Sequence, residues 1–146
     1  MLSVAPLLSA RPGNVPGPYV LLVDDHEPSL RQLHEVVALS GHRCVSTPSP
    51  TDAVRLCDAR RPQVVVTDLA MPNLDGQALA RWLRSRFPSI PIVLMTGQAL
   101  DVETLEGLEG TFTAILAKPV DIDRFVSLLD RLMPPRGNRT STPGRP

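Results

Sequence analysis

"QVVVTDLAMPNLDG", residues 63–76, decides the fold class. Its three consecutive valines are β-branched and favour an extended backbone. A run that is apolar at every position, rather than at alternate ones, belongs to a strand covered on both faces, as in a parallel sheet. The run ends on an acid, Asp68, and a turn-rich loop follows. "QALARWLRSRF" then shows helical spacing and must stop before Pro88. At the start of that helix, Asp75 and Gly76 read as a cap with a glycine beside it.

Outward from this unit the same alternation recurs. "YVLLV" (19–23) is a short apolar run suited to a buried parallel strand. "EPSLRQLHEVVALSG" places Leu30, Leu33, Val37 and Ser40 on one side at helical spacing, with Pro28 suited to the first turn and Gly41 to the C-terminal cap. "RCVS" (43–46) is a second strand, and "TDAVRLCDARR" is a helix capped by Thr51 or Ser49. "IVLMT" (92–96) is a fourth strand, "LDVETLEGLEG" a short helix weakened by Gly107, and "FTAILA" (112–117) a fifth strand. "DIDRFVSLLDRLM" closes the series, with Asp121 as its cap and Phe125, Leu128, Leu129 and Leu132 on the buried side. Five strand–helix alternations predict an α/β doubly wound sheet, with parallel strands, right-handed crossovers and helices on both faces.

The chain of 146 residues is long enough for one domain with a real core, and its 42% apolar and 21% charged content is ordinary for a globular protein. A formal net charge of zero gives no whole-protein field that would draw nucleic acid or a membrane surface. No apolar run approaches the roughly 18 residues of a membrane helix, and the opening "MLSVAPLLSARPG" lacks the basic start and apolar centre of a signal peptide. A cytoplasmic setting is expected. Cys44 and Cys57 read as reduced packing thiols. His26, His34 and His42 do not cluster as metal ligands; His26 reads as an exposed loop residue, and Trp82 as a ring packed partly against the domain. Residues 1–18 are punctuated by proline and glycine, and residues 134–146 contain no hydrophobic residue. Both ends are expected to be mobile extensions around a folded domain at 19–133. Arg136, Arg139 and Arg145 read as part of a solvated tail.

In a parallel sheet all carboxyl ends lie on one edge, where ligands bind. The first strand is followed by Asp24 and Asp25. The third ends at Asp68, the fourth at Thr96 and the fifth at Lys118, the only lysine beside fourteen arginines. Each has a plain role singly: helix cap, turn residue or surface charge. Together they describe a site. Three close carboxylates need a cation, and an all-oxygen donor set suits Mg2+, which commonly shares its shell with a phosphate. A lysine and a hydroxyl facing them suit phosphoryl oxygens, and a carboxylate can itself become an aspartyl-phosphate. A compact ammonium fits such a crowded site better than a planar guanidinium.

"LLVDDHEPSL", "VVVTDLAMPNLDG", "PIVLMTG" and "AILAKPVD" resemble the receiver domain of bacterial two-component response regulators over about residues 19–133. The resemblance implies the flavodoxin-like (βα)5 fold with strand order 2-1-3-4-5. It implies Asp68 as the phosphoacceptor and Mg2+ bound by Asp25, Asp68 and the backbone carbonyl of Ala70, with Asp24 acting through a water. It further implies Thr96 and Lys118 as holders of the phosphoryl oxygens, a cis Lys118–Pro119 peptide, and a phosphodonor that is a sensor histidine kinase or a histidine phosphotransfer protein. One departure stands out: the family's usual aromatic residue three positions before the lysine is Ile115 here, which alters the expected switch at the surface of the fourth helix, fifth strand and fifth helix. Nothing after Met133 reads as an output or DNA-binding domain, so a stand-alone receiver acting through a protein partner is expected. A phosphatase working through an aspartyl-phosphate would need a second acid, and Ala70 stands where one is wanted. An interaction domain that keeps only the fold would not need the complete acid, hydroxyl and lysine set.

Overall fold

The valine run forms β3, Val64–Asp68, at the centre of a five-stranded sheet in the computed structural model, which describes residues 17–69, 76–97, 106–107 and 110–134. The other strands are β1 (Val20–Val23), β2 (Cys44–Thr47), β4 (Ile92–Thr96) and β5 (Ala114–Ala117). All pairings are parallel and the order is β2-β1-β3-β4-β5. Four helices among the described residues connect or follow them: α1 (Glu27–Leu39), α2 (Pro50–Ala59), α3 (Gly76–Arg86) and α4 (Ile122–Leu132). This is the doubly wound, flavodoxin-like arrangement.

Strand side chains point alternately to opposite faces, so each central strand feeds two cores. On one face Val20, Leu22, Val64, Val66, Val93 and Met95 meet Leu30, Leu33 and Val37 of α1 and Phe125, Leu128 and Leu129 of α4. On the other, Leu21, Val23, Val45, Val65 and Ile92 meet Ala53 and Cys57 of α2 and Leu79, Ala80 and Leu83 of α3. Truncating a fully buried side chain such as Phe125 to alanine would cost about 3–5 kcal/mol. Trp82 packs partly against the second core, edge-on to Phe87 at 6.3 Å.

Helix starts follow local chemistry. The Ser49 hydroxyl accepts the Asp52 N–H at 3.1 Å and Pro50 occupies the first turn of α2, so Ser49 rather than Thr51 is the cap. Asp121 accepts the Arg124 N–H at 3.1 Å and caps α4. α1 is capped by His26, which is exposed as expected but also accepts from the Ser29 N–H. At the other end of α1, Gly41 takes a φ of +92°, the left-handed conformation that glycine adopts without cost.

Some expectations shift: β1 begins at Val20 rather than at 19, and β2 spans Cys44–Thr47 rather than 43–46. The buried face of α1 is Leu30, Leu33, His34 and Val37, while Ser40 ends the helix as its C-cap; the His34 imidazole hydrogen-bonds the Ser46 hydroxyl of β2. β5 begins two residues later than 112 and is only partly buried, unlike β2, the fully buried strand at the opposite edge of the sheet. Most of the helix expected within "LDVETLEGLEG", the 70–75 loop with Ala70 and Asp75, and nearly all of both terminal extensions lie outside the described residues. No helix among the described residues is long and apolar enough to cross a membrane.

Candidate functional site

β1, β3, β4 and β5 deliver their ends to one edge of the sheet, and the loop residues there converge. Asp24, directly after β1, is fully buried, and Asp25 turns outward to solvent. The Asp24 carboxylate accepts the backbone N–H of His26 at 3.0 Å, so the start of α1 fixes its rotamer. Asp68 ends β3 with its side chain 13% exposed, and Thr96 ends β4 with 5% of its surface exposed. The Lys118 backbone N–H donates to the Thr96 carbonyl at 2.9 Å, tying the end of β5 to β4. The Lys118–Pro119 peptide is cis.

Lys118 is the hub. Its Nζ lies 3.1 Å from Asp24 Oδ2 and 3.1 Å from Asp68 Oδ1. Asp24, Asp25 and Asp68 each offer a carboxylate oxygen within 4.8 Å of the other two. Burial pushes the Asp68 carboxyl above its usual range; the Lys118 ammonium opposes this, and the Asp24 charge adds to it. For Lys118, burial alone would lower the pKa, but its hydrogen bonds to Asp24 and Asp68 and their charges outweigh burial and raise it. The ammonium is thereby held charged, and acidic charge is crowded around it.

The donor set suits a hard divalent cation. All three groups are carboxylates, and Mg2+ takes oxygen ligands and tolerates waters in the rest of its shell. Two of the three already hold a cation, the Lys118 ammonium, so the pocket is built around positive charge. Ala70, expected to add a carbonyl, lies outside the described residues.

Of the expected residues, Asp24, Asp25 and Asp68 form the acidic cluster, Lys118 bridges two of them, and Thr96 is joined to Lys118 through the backbone. Gly76 was read as the neighbour of a cap, and the structure gives it a stricter reason. A β-carbon there would lie 2.0 Å from the Asp68 carbonyl oxygen. The glycine after a loop that begins at the phosphoacceptor candidate was the only sequence signal for this.

A family model described as the response regulator receiver domain matches residues 20–130. The transcriptional regulatory protein AfsQ1 of Streptomyces coelicolor is 31% identical over 125 residues, which cover 86% of this chain and 55% of AfsQ1. The sensor histidine kinase RcsC of Salmonella typhi is 32% identical over 110 residues, covering 75% of this chain and 12% of RcsC. The chain thus spans about half the length of the first relative and a small part of the second. Among solved structures, the signal receiver domain of an HD domain-containing protein from Pseudomonas fluorescens matches with a TM-score of 0.72 and 26% identity, over 79% of this chain and 93% of that one.

Proposed function

The chain belongs to the response regulator receiver family, a signalling module of two-component systems rather than a classical enzyme, and from that membership we propose that Asp68 accepts a phosphoryl group from a phosphohistidine. Phosphorylation and Mg2+ are general features of this family. The observation that carries the assignment to Asp68 is the Lys118 bridge: one ammonium 3.1 Å from both Asp24 and Asp68, with Asp25 completing an acidic cluster at the carboxyl edge of the sheet.

The chemistry follows from these atoms. A carboxylate oxygen of Asp68 attacks phosphorus. A P–O bond forms as the P–N bond to the donor imidazole breaks, and the electron pair leaves with the imidazole, which takes up a proton. Asp24, Asp25, Asp68 and the Ala70 carbonyl would hold Mg2+, with Asp24 acting through a water; the ion supplies neutralisation of the phosphoryl charge in transit. Lys118 exchanges its contact with Asp68 for a phosphoryl oxygen, and the Thr96 hydroxyl donates to another. The same groups assist loss of the phosphoryl group to water. A sensor histidine kinase or a histidine phosphotransfer protein is the donor. A cytoplasmic setting, where thiols stay reduced, suits the free and buried Cys44 and Cys57.

The added charge biases the surface around β5 toward a protein partner. Ile115 pairs in register with Leu94 and is half-buried, so this edge strand offers an aliphatic group where the family uses a ring. The switch here therefore works without an aromatic rotamer change.

Incubation with Mg2+ and acetyl phosphate, followed by mass spectrometry, tests the assignment. One acid-stable, base-labile phosphoryl group is expected on the protein and none on Asp68→Asn. Label that persists in Asp68→Asn would move the site elsewhere, and an unlabelled wild type would leave an interaction domain with only the fold.

A further inference from the structure

Gly76 begins α3 in direct contact with the backbone of Asp68. A β-carbon on Gly76 would stand 2.0 Å from the Asp68 carbonyl oxygen, 3.0 Å from its carbonyl carbon and 3.0 Å from the Leu69 α-carbon. The Gly76 N–H donates to the Leu69 carbonyl at 2.8 Å. The left-handed conformation is not the reason for glycine: Gly17, Gly41 and Gly110 are the described glycines with positive φ, and Gly76 is not among them. What the position demands is the absence of a side chain. The Asp68 carbonyl cannot simply retreat, because the Thr67 hydroxyl donates to it at 3.0 Å and the next N–H, of Leu69, donates to the Met95 carbonyl at 3.1 Å.

We propose that Gly76 is a positioning residue that seats the phosphoacceptor, the bare backbone of α3 serving as the wall against which the Asp68–Leu69 peptide is set. The proposal rests on the assignment of Asp68 as phosphoacceptor. Any β-carbon pushes the wall and the peptide apart by about an ångström, since real contacts to a carbonyl oxygen stay beyond 3 Å. That displacement re-aims the Asp68 carboxylate relative to Asp24 and Lys118, and a shift of this size in a reacting group slows a reaction about 100-fold.

The test compares Gly76→Ala with Gly107→Ala, whose added β-carbon meets nothing within 4 Å. Acetyl phosphate labelling is followed at temperatures where circular dichroism shows each variant folded, and amide spectra are recorded for both. Gly76→Ala should label about 100-fold more slowly at saturating phosphodonor, with shifted amides at Thr67, Asp68 and Leu69; Gly107→Ala should match the wild type. A glycine needed only for folding would lower the melting temperature and leave the labelling rate of the folded fraction unchanged, which would overturn the proposal. If Gly76→Ala does not fold, titration of the wild type with Mg2+ decides: the Gly76 amide must move with that of Leu69 and at the same midpoint, and a stationary Gly76 amide refutes the seat. An unlabelled wild type would remove the phosphoacceptor reading, whereas unmoved amides at 67–69 in folded Gly76→Ala would remove the seat.

Discussion

Lys118→Met removes one positive charge from among three carboxylates and keeps most of the side-chain volume. Two contacts of 3.1 Å are lost, to Asp24 and Asp68, whose side chains are 1% and 13% exposed. What remains is acidic groups within 4.8 Å of one another. One unit-charge pair at that separation, at an effective dielectric near 20, repels by about 3 kcal/mol. Protonation of Asp68, whose pKa burial has already raised, relieves part of this. A loss of about 2–3 kcal/mol at pH 7 is expected with Mg2+ chelated, below the roughly 3–5 kcal/mol for breaking a fully buried pair. Trp82 fluorescence reports unfolding, and with a urea m-value of about 1.5 kcal/mol/M the midpoint should fall by roughly 1.3–2 M. The raised Lys118 pKa means that its wild-type contribution is fully present below about pH 10.4 and lost as pH rises through the folded value. In the variant, acidification neutralises the orphaned Asp68, so the gap from wild type narrows toward low pH as well. Lys118→Arg, which keeps the charge, should recover much of the loss. Equal midpoints for wild type and Lys118→Met at pH 7 without Mg2+ would show that the bridge stabilises nothing.

Three further outcomes are expected. Burial pushes the Cys44 and Cys57 thiols up to about 12; iodoacetamide at pH 8 should therefore alkylate them roughly 1,000-fold more slowly in native than in denatured protein, and comparable rates by mass spectrometry would contradict their burial. Burial lowers the His34 pKa, so the folded state refuses a proton that the unfolded chain accepts near pH 6.5. Stability should be full above that pH and fall below it by up to about 1.4 kcal/mol per pH unit, and His34→Gln should flatten the slope in urea titrations at pH 5 to 6.5. Arg84 donates to the carbonyls of Pro88, Ile90 and Thr111 at 2.9, 2.6 and 2.7 Å; Arg84→Ala should cost about 2–4 kcal/mol by urea denaturation, and a change under 0.5 kcal/mol would mean that water replaces these bonds at no loss.

Most of this fold was legible because parallel strands and their helices differ sharply in pattern. β3 and β4 open on unbroken apolar runs, "VVV" and "IVLM", and β4 has the boundaries expected of it. Asp121 was legible as a polar residue just before a helical run. His26 was not, since histidine is no usual cap and two aspartates precede it as better candidates. His34 was passed over because its partner, Ser46, lies on another element. The convergence of Asp24, Asp68 and Lys118 could be read from strand ends alone, because topology brings those ends together whatever the loops do. The exclusion of a side chain at Gly76 could not, since it arises from backbone contact across a loop and no propensity encodes that. The partial exposure of β5 was not legible either, since "AILA" is as apolar as the buried strands and the other edge strand, β2, is fully buried.

The Lys118–Asp24 bridge joins residues 94 positions apart. During synthesis the acidic pair and Asp68 leave the ribosome well before β5 does, and for that interval the chain carries its negative charges without their counter-ion. Closing so long a loop costs entropy before any contact rewards it, and the bridge cannot form until Lys118 has been brought to the sheet edge. If Asp68 is the phosphoacceptor, a chain that ends before Lys118 would therefore lack the ammonium proposed to hold the phosphoryl group.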